Sequence, residues 1–185
     1  MDKKISEDII CAGFGGQGIM ILGKVIANAG MDKGYHVTWM PSYGAEVRGG
    51  TAHCMVRVSS EMIANPIIFL ADTGFIMNEL SLDKFEKSIK KNGTLILNSS
   101  MVNREVNRKD IKVVKVPFTD EAIKLGNVKV ANMIAMGTYL AGKTLFDKEL
   151  LSGIFEKLAM GQKKLVSINI KALERGIELG KKGSA

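Results

Sequence analysis

Two glycine-rich segments contain the residues whose types and spacing could do chemistry. The first, residues 13–18, reads GFGGQG and fits the pattern G-x-G-x-x-G. It follows an apolar run that predicts a buried strand, and it precedes a segment in which apolar residues recur at helical spacing. In that context glycines allow a tight turn, and the free N–H groups of the helix N-terminus attract an anion. The predicted ligand-binding residues of this turn are Gly13, Gly15, Gly16, Gln17 and Gly18.

The same turn also has a purely structural interpretation, in which its glycines, above all Gly18, serve close packing between a strand and a helix. A dinucleotide site would further require an acidic residue about 20 residues later, at the end of the second strand, to bind the ribose. At that position the sequence reads Trp39-Met40-Pro41-Ser42, and the next acidic residue is Glu46. The sequence therefore argues against tight binding of NAD.

The second segment, residues 42–51, reads SYGAEVRGGT and follows the second predicted strand. Loops at the carboxyl ends of strands line the ligand crevice of an open α/β sheet, so both segments are expected at one sheet edge. Glu46 and Arg48 cannot act as a general acid–base pair, because the arginine stays charged. Arg48 suits a phosphate, a carboxylate or a partner's acidic group; the alternative is that Glu46 and Arg48 pair and brace their own loop. The predicted binding residues here are Tyr43, Glu46 and Arg48.

The elements that must position these loops follow from hydrophobic periodicity and from Gly, Pro and Asn punctuation. A strand at 8–14, a helix from Gly18 to 30–34 and a strand at 35–40 ended by Pro41 form a β–α–β unit, which is typical of a parallel sheet. Further strands are predicted at 54–58, 75–78, 94–97 and 113–116, and helices at 82–91, 119–125, 130–145, 147–158 and 168–181. The fold class is therefore α/β: a single Rossmann-like domain over residues 1–185, with a mostly parallel central sheet flanked by helices and a helical C-terminal third.

Composition narrows the class of protein. Apolar residues make up 46% and charged residues 24% of the chain, and no apolar run reaches the length of a membrane helix. The N-terminal MDKKISED has no apolar signal core, so a cytoplasmic location is expected. The net charge of +7 comes partly from lysine clusters at 87–91, 163–164 and 181–182, which we interpret as solvated helix faces and a terminal tail rather than a nucleic-acid surface.

The cysteines and histidines do not predict a metal site. Cys11 and Cys54 each lie in an apolar, strand-like run and are expected to be buried thiols. Two cysteines cannot provide the four thiolates of an iron–sulfur cluster. His36 and His53 are isolated and are expected to be ordinary strand-edge residues.

Together, the two loops resemble those of the gamma subunits of the 2-oxoacid:ferredoxin oxidoreductases. The resemblance lies in GFGGQG at 13–18, in PSYGAEVRGGT at 41–51, and in Leu125-Gly126-Asn127 with Asn132 a turn later. This spacing holds over almost the whole chain. The loop sequences are more similar to the 2-oxoglutarate type than to the pyruvate type, and the 2-oxoisovalerate and indolepyruvate types stay open as alternatives.

The resemblance implies a multi-subunit enzyme that converts a 2-oxoacid, coenzyme A and oxidised ferredoxin into an acyl-CoA, carbon dioxide and reduced ferredoxin. It implies thiamine diphosphate and magnesium between alpha and beta subunits, with the iron–sulfur clusters on beta or on a delta subunit. This chain is then expected to carry no catalytic residue and no metal. It would support assembly and the approach of coenzyme A, with Arg48 and the Gly15–Gly18 turn facing that passage. When isolated, the chain could pair with a second copy.

Two functions of another class stay open. A stand-alone nucleotide-binding enzyme would need an acid or base in the crevice and an acidic residue for the ribose, and neither is evident. A scaffold domain without a ligand would use the small residues of 130–145 and the 11 methionines for adaptable protein contact.

Overall fold

A six-stranded sheet organises the chain. The computed structural model describes residues 4–43 and 51–182. The strands are β1 (Ser6–Phe14), β2 (His36–Tyr43), β3 (Thr51–Ser59), β4 (Ala71–Ile76), β5 (Ile89–Asn98) and β6 (Lys112–Val116). The α-helices are α1 (Ile19–Asp32), α2 (Glu79–Phe85), α3 (Phe118–Lys124), α4 (Ala131–Gly142), α5 (Lys148–Leu158) and α6 (Lys163–Lys182).

The strand order is β2-β3-β1-β4-β5-β6. β4, β5 and β6 continue the sheet parallel to β1, whereas β3 is antiparallel to both of its neighbours, β1 and β2. Five of these strands therefore point the same way, which confirms the predicted mostly parallel α/β sheet. β3 lies between β1 and β2, so the two strands of the predicted β–α–β unit run parallel but are not neighbours in the sheet.

Each face of the sheet is packed by its own group of apolar side chains. One face contacts α1, α4 and the helices that follow, around Leu22, Ile134 and Leu173. The other face contacts the shorter α2, with Leu82 and Phe85, and the loop residues Ile68, Val102 and Val106. Glu86 anchors the loop after β5 on this side, because its carboxylate accepts hydrogen bonds from the backbone N–H groups of Asn107 and Arg108.

Four predicted boundaries are wrong, and two of them concern the end of β2 and the end of α2. The strand expected to end at Pro41 continues to Tyr43, because β2 lies at the sheet edge, where a missing N–H is tolerated. The helix expected at 82–91 ends at Phe85, and a single 3₁₀ turn leads directly into β5. Ile89 is buried there, and Asn92 adopts a positive φ of 63° inside the strand.

The other two boundary differences involve polar residues and the last helix. Asn78, predicted as the end of a strand, lies beyond β4 and caps α2 by accepting a hydrogen bond from the backbone N–H of Ser81. The helix predicted from residue 168 begins at Lys163.

Two glycines allow α4 and α6 to cross with their backbones in contact. A Cβ atom on Gly137 would lie 2.9 Å from the Cα of Gly176, and the reverse substitution would meet the Cα of Gly137 at the same distance. Real Cβ atoms do not approach so closely, so any side chain here would push the two helices apart. The small residues predicted along 130–145 thus serve packing within this domain.

We expect Gly176→Ala to lower the free energy of unfolding by about 2 kcal/mol or more, because overpacking at a backbone contact forces the helices to shift. Gly153→Ala is the matched control, since Gly153 lies inside α5 with no atom near its Cβ position. That control should be neutral or stabilising by about 0.5–1 kcal/mol. Equal effects of the two changes in urea unfolding would contradict the close crossing.

Candidate ligand-binding edge of the sheet

The carboxyl ends of the five parallel strands, together with the start of β3, form the candidate site, which we call the carboxyl edge. At this edge β1 ends at Phe14, opposite Thr51, and β2 ends at Tyr43, opposite Ala52. β4 ends beside them, with Ile76 aligned to Ala12. The prediction that both loops begin at the same edge is therefore confirmed.

The glycine turn between β1 and α1 exposes backbone at its tip. Gly16 and Gly18 have positive φ values of 95° and 72°, a conformation that favours glycine. A Cβ atom on Gly15 or Gly16 would meet nothing within 4 Å. Gly18 is the N-cap of α1, and no side chain caps this helix. The tip thus leaves room for an external group next to a helix N-terminus.

Gln17 points inward and joins β1 to β4. Its Oε1 accepts a hydrogen bond from the backbone N–H of Phe14 at 2.7 Å, and its Nε2 donates to the carbonyl of Met77 at 3.2 Å. Gly13 makes room for this amide, because a Cβ there would lie 2.6 Å from Oε1. For Gly13 and Gln17, the described contacts are those of a brace that fixes the turn.

Two asparagines that were not identified from the sequence extend this brace. Asn78 donates from its side chain to Gln17 Oε1 at 3.1 Å while it caps α2. Asn98, at the end of β5, donates to the carbonyl of Met77 at 3.1 Å and to the hydroxyl of Thr119 at 3.0 Å. Both asparagines are buried. In the sequence each of them directly follows an apolar, strand-like run, and this position is the signal that could have identified them.

Gly18 packs against Asn132 at the start of α4. The Asn132 amide donates to the carbonyl of Gly18 at 3.0 Å, and a Cβ on Gly18 would lie 2.9 Å from the Asn132 Cγ. This contact supports the packing interpretation of Gly18. It also explains why Asn132 accompanies the glycine turn in the sequence pattern.

A cavity of about 360 Å³ lies between α1, α4, α5 and α6, and its lining includes Asn132, the residue that contacts Gly18. Asn132 and Met133 at the start of α4 form one side of it, and Lys24 of α1 lies on another. The remaining lining residues are mainly apolar, with a second lysine and two further asparagines: Ile21, Val25, Asn127, Lys129, Val130, Phe155, Leu158, Ala159, Leu165 and Asn169. An apolar wall with a few polar groups at its rim is typical of small-ligand sites.

The second predicted loop is described only at its first and last residues. Tyr43 is exposed, with 70% of its surface accessible. Glu46 and Arg48 lie outside the described residues. Two strand spacings separate the end of β2 from β1, so Tyr43 starts roughly 10 Å from the glycine turn.

This strand order is unsuited to a dinucleotide. In that class of site, the acidic residue for the ribose ends the strand next to β1. Here β3 occupies that place with opposite direction, and β2 ends in Ser42 and Tyr43 rather than an acid. The strand order is therefore a second reason, besides the missing acidic residue, against a dinucleotide site.

Across 4–43 and 51–182, no three His, Cys, Asp or Glu side chains converge in a way that could hold a metal ion. His53 lies on β3 with its ring 4.9 Å from that of Phe85, and burial and the nearby Lys84 lower the pKa of its imidazole. None of the helices in these ranges combines the length and apolar character needed to cross a bilayer.

Comparison with known proteins identifies a family. The model of the family described as pyruvate ferredoxin/flavodoxin oxidoreductase matches residues 8–179. The ketoisovalerate oxidoreductase subunit VorA of Methanothermobacter thermautotrophicus is 32% identical over 90% of this chain, which spans only 35% of VorA. The 2-oxoglutarate synthase subunit KorC of Methanocaldococcus jannaschii is 28% identical, with 96% of each chain covered.

Solved structures share the fold. A keto/oxoacid ferredoxin oxidoreductase gamma subunit from Geobacter sulfurreducens has a TM-score of 0.79 at 24% identity, covering 94% of this chain and 98% of that subunit. A 2-oxoglutarate:ferredoxin oxidoreductase from Magnetococcus marinus, solved with 2-oxoglutarate, coenzyme A and succinyl-CoA bound, has a TM-score of 0.86 at 24% identity. The match covers 98% of this chain and 32% of that one.

We expect Gln17→Ala to lower the free energy of unfolding by about 2 kcal/mol, because it removes the side-chain oxygen that accepts from the Phe14 N–H and from the buried Asn78 amide. The control is Gln162→Ala, since the Gln162 side chain is exposed. The hydrogen bond of this residue to the carbonyl of Ala159 comes from its backbone N–H, which the substitution keeps. That change should shift stability by less than about 0.5 kcal/mol. If thermal unfolding of both variants matched the wild type, Gln17 would not be a brace.

Proposed function

Because the chain belongs to the pyruvate ferredoxin/flavodoxin oxidoreductase family, we propose that it is the gamma-type subunit of a 2-oxoacid:ferredoxin oxidoreductase. The observation that carries the proposal is the end-to-end match to KorC, a relative named as one subunit of 2-oxoglutarate synthase. The assembled enzyme would oxidatively decarboxylate a 2-oxoacid, form an acyl-CoA and reduce ferredoxin.

Other polypeptides would complete this enzyme. The chain spans about a third of the length of VorA, so most of such a relative has no counterpart here. Alpha and beta subunits, with delta where present, would bring thiamine diphosphate, magnesium and the iron–sulfur clusters. The two free, buried cysteines suit a reducing compartment such as the cytoplasm.

We propose 2-oxoglutarate as the substrate, because the KorC relative described above matches with 96% of each chain covered. VorA favours 2-oxoisovalerate as the second candidate, since it has the higher identity of the two relatives described.

The test is to co-express the chain with the alpha and beta genes of its host and to follow ferredoxin reduction with each 2-oxoacid. We expect co-purification and the highest kcat/KM for 2-oxoglutarate. A preference for 2-oxoisovalerate or pyruvate would change the proposed substrate and leave the subunit assignment in place. Failure of the chain to bind any of the partner subunits would overturn the subunit assignment.

The role proposed for this chain is to line the approach of coenzyme A. Coenzyme A combines phosphates with a pantetheine arm whose amides are separated by methyl and methylene groups, and the cavity lined by Asn132 offers charged, amide and apolar contacts. Its wall is apolar, with Val25, Met133 and Phe155. Lys24 and Lys129 lie on its rim, and neither forms a salt bridge within the described residues. When bound, coenzyme A would supply the thiol that accepts the acyl group.

The outer tip of the glycine turn would contribute to the same passage. Gly15 and Gly16 leave their backbone open there, whereas Gly13, Gln17 and Gly18 hold the turn in place. Participation of Tyr43, Glu46 and Arg48, through a ligand or a subunit contact, stays a prediction.

We expect Lys129→Gln and Lys24→Gln each to raise the KM for coenzyme A about fivefold in the assembled enzyme, which corresponds to about 1 kcal/mol for a lost contact to a phosphate. The KM for the 2-oxoacid should not change. Lys109→Gln is the control, since Lys109 is exposed and lies at the opposite edge of the sheet. Its neighbour Asp110 is located there, because its backbone carbonyl accepts a hydrogen bond from the N–H of Asn92 near the start of β5. An unchanged KM for coenzyme A in both cavity variants would show that the cavity does not line the approach of coenzyme A.

A further inference from the structure

The two cysteines of the chain face each other across neighbouring strands. Cys11 of β1 and Cys54 of β3 are direct partners in the antiparallel register. Such partners point to the same face of a sheet, with Cα atoms about 4.5–5.5 Å apart. That separation lies within the range of about 4.4–6.8 Å over which a disulfide closes without moving the backbone. Both thiols are free, and both residues have 0% of their surface exposed.

Polar groups that are unusual for a buried apolar layer surround Cys54. Its thiol donates to the carbonyl of Ile19 in the first turn of α1, at 3.5 Å. The buried indole Nε1 of Trp39 lies near Cys54, at a point where a Cβ on Gly23 would meet both groups, and a hydrogen bond from this indole helps to lower the pKa of the Cys54 thiol. These neighbours distinguish Cys54 from a thiol that only fills space.

The two thiols have different chemical character. A hydrogen bond from Cys11 lowers the pKa of the Cys54 thiol, whereas burial raises the pKa of Cys11. Because the thiolate is the reactive form, the Cys54 sulfur is the one that reacts first with an oxidant. Cys11 is then positioned to resolve the product.

We infer that Cys11 and Cys54 are a modification site, at which a hydroperoxide closes a disulfide between β1 and β3. The Cys54 sulfur attacks one peroxide oxygen, the O–O bond breaks, and a sulfenic acid and one water form. The Cys11 sulfur then attacks the Cys54 sulfur, and the S–O bond breaks. The hydroxyl leaves as a second water with the Cys11 proton. Two thiols are oxidised and one peroxide is reduced.

Access to the pair runs through the edge of the sheet. On the edge strand β2, Pro41 is the register partner of Cys54, and Trp39, two residues earlier, is half-buried with its indole near the thiol. Edge elements open locally at lower free energy than a central strand, so a small neutral oxidant enters when the Trp39 ring moves aside. The pair is thus protected from bulky reagents.

Closure of the disulfide affects α1. A disulfide sulfur has no hydrogen, so Cys54 no longer donates to the carbonyl of Ile19. The two sulfurs also approach to about 2.05 Å, which draws Cys54 away from its place under Gly23. This inference does not depend on the proposed function.

The test treats the reduced full chain with hydrogen peroxide, denatures it and alkylates free thiols. We expect the loss of both alkylatable thiols, an intact mass lower by two hydrogens, and recovery of both thiols with dithiothreitol. Emission of Trp39, the single tryptophan of the chain, should fall in the same reaction, because a nearby disulfide quenches an excited indole. Reduction should restore it.

The variants Cys11→Ala and Cys54→Ala cannot close the bond and should keep their Trp39 emission under peroxide. Because either change could reduce stability, the decision rests on the wild-type chain. The inference is overturned if both wild-type thiols stay alkylatable. It is equally overturned if the chain gains oxygen without forming a disulfide, or forms disulfide-linked dimers alone.

Discussion

Strand β3 is hydrogen-bonded on both sides, to β1 and to β2, and it runs against both of them. This placement sets the distance between the glycine turn and the end of β2. It also brings the start of β3 to the carboxyl edge, so that Tyr43 and Thr51 both lie at that edge. A dinucleotide fold would place β2 directly beside β1. One strand inserted with opposite direction therefore changes the site that the same glycine pattern can build.

The glycine turn divides into an inner and an outer part. On the inner side the Gln17 amide, with Asn78 and Asn98, satisfies backbone groups that strand ends would otherwise leave unpaired in a buried region. On the outer side Gly15 and Gly16 contact nothing within the described residues at the positions where side chains would be. A rigid inner network supports an open backbone, and this arrangement suits a surface that receives a ligand or a neighbouring subunit without reorganising.

Sequence patterns predicted most elements because strands and helices here have clear periodicity and punctuation. The pairing order was not visible, since the alternation at 54–58 indicates a strand but not its neighbours. The helix predicted at 82–91 failed for the same reason: Ile89 lies against Gly74, a contact that local propensity does not contain. The motif likewise identified Gln17, but the inward direction of its amide depends on Met77, 60 residues away.

Helix α1 connects the two sites of the chain. Its outer side contributes Ile21, Lys24 and Val25 to the cavity, whereas its inner side places Ile19 and Gly23 on Cys54. Packed interiors respond to a changed contact by shifting whole elements rather than by compressing. The proposed disulfide would form beneath the first turns of the same helix that lines the cavity. Gly23 allows this close approach, because a Cβ at that position would lie 2.8 Å from the Trp39 Nε1 and even nearer the Cys54 Sγ.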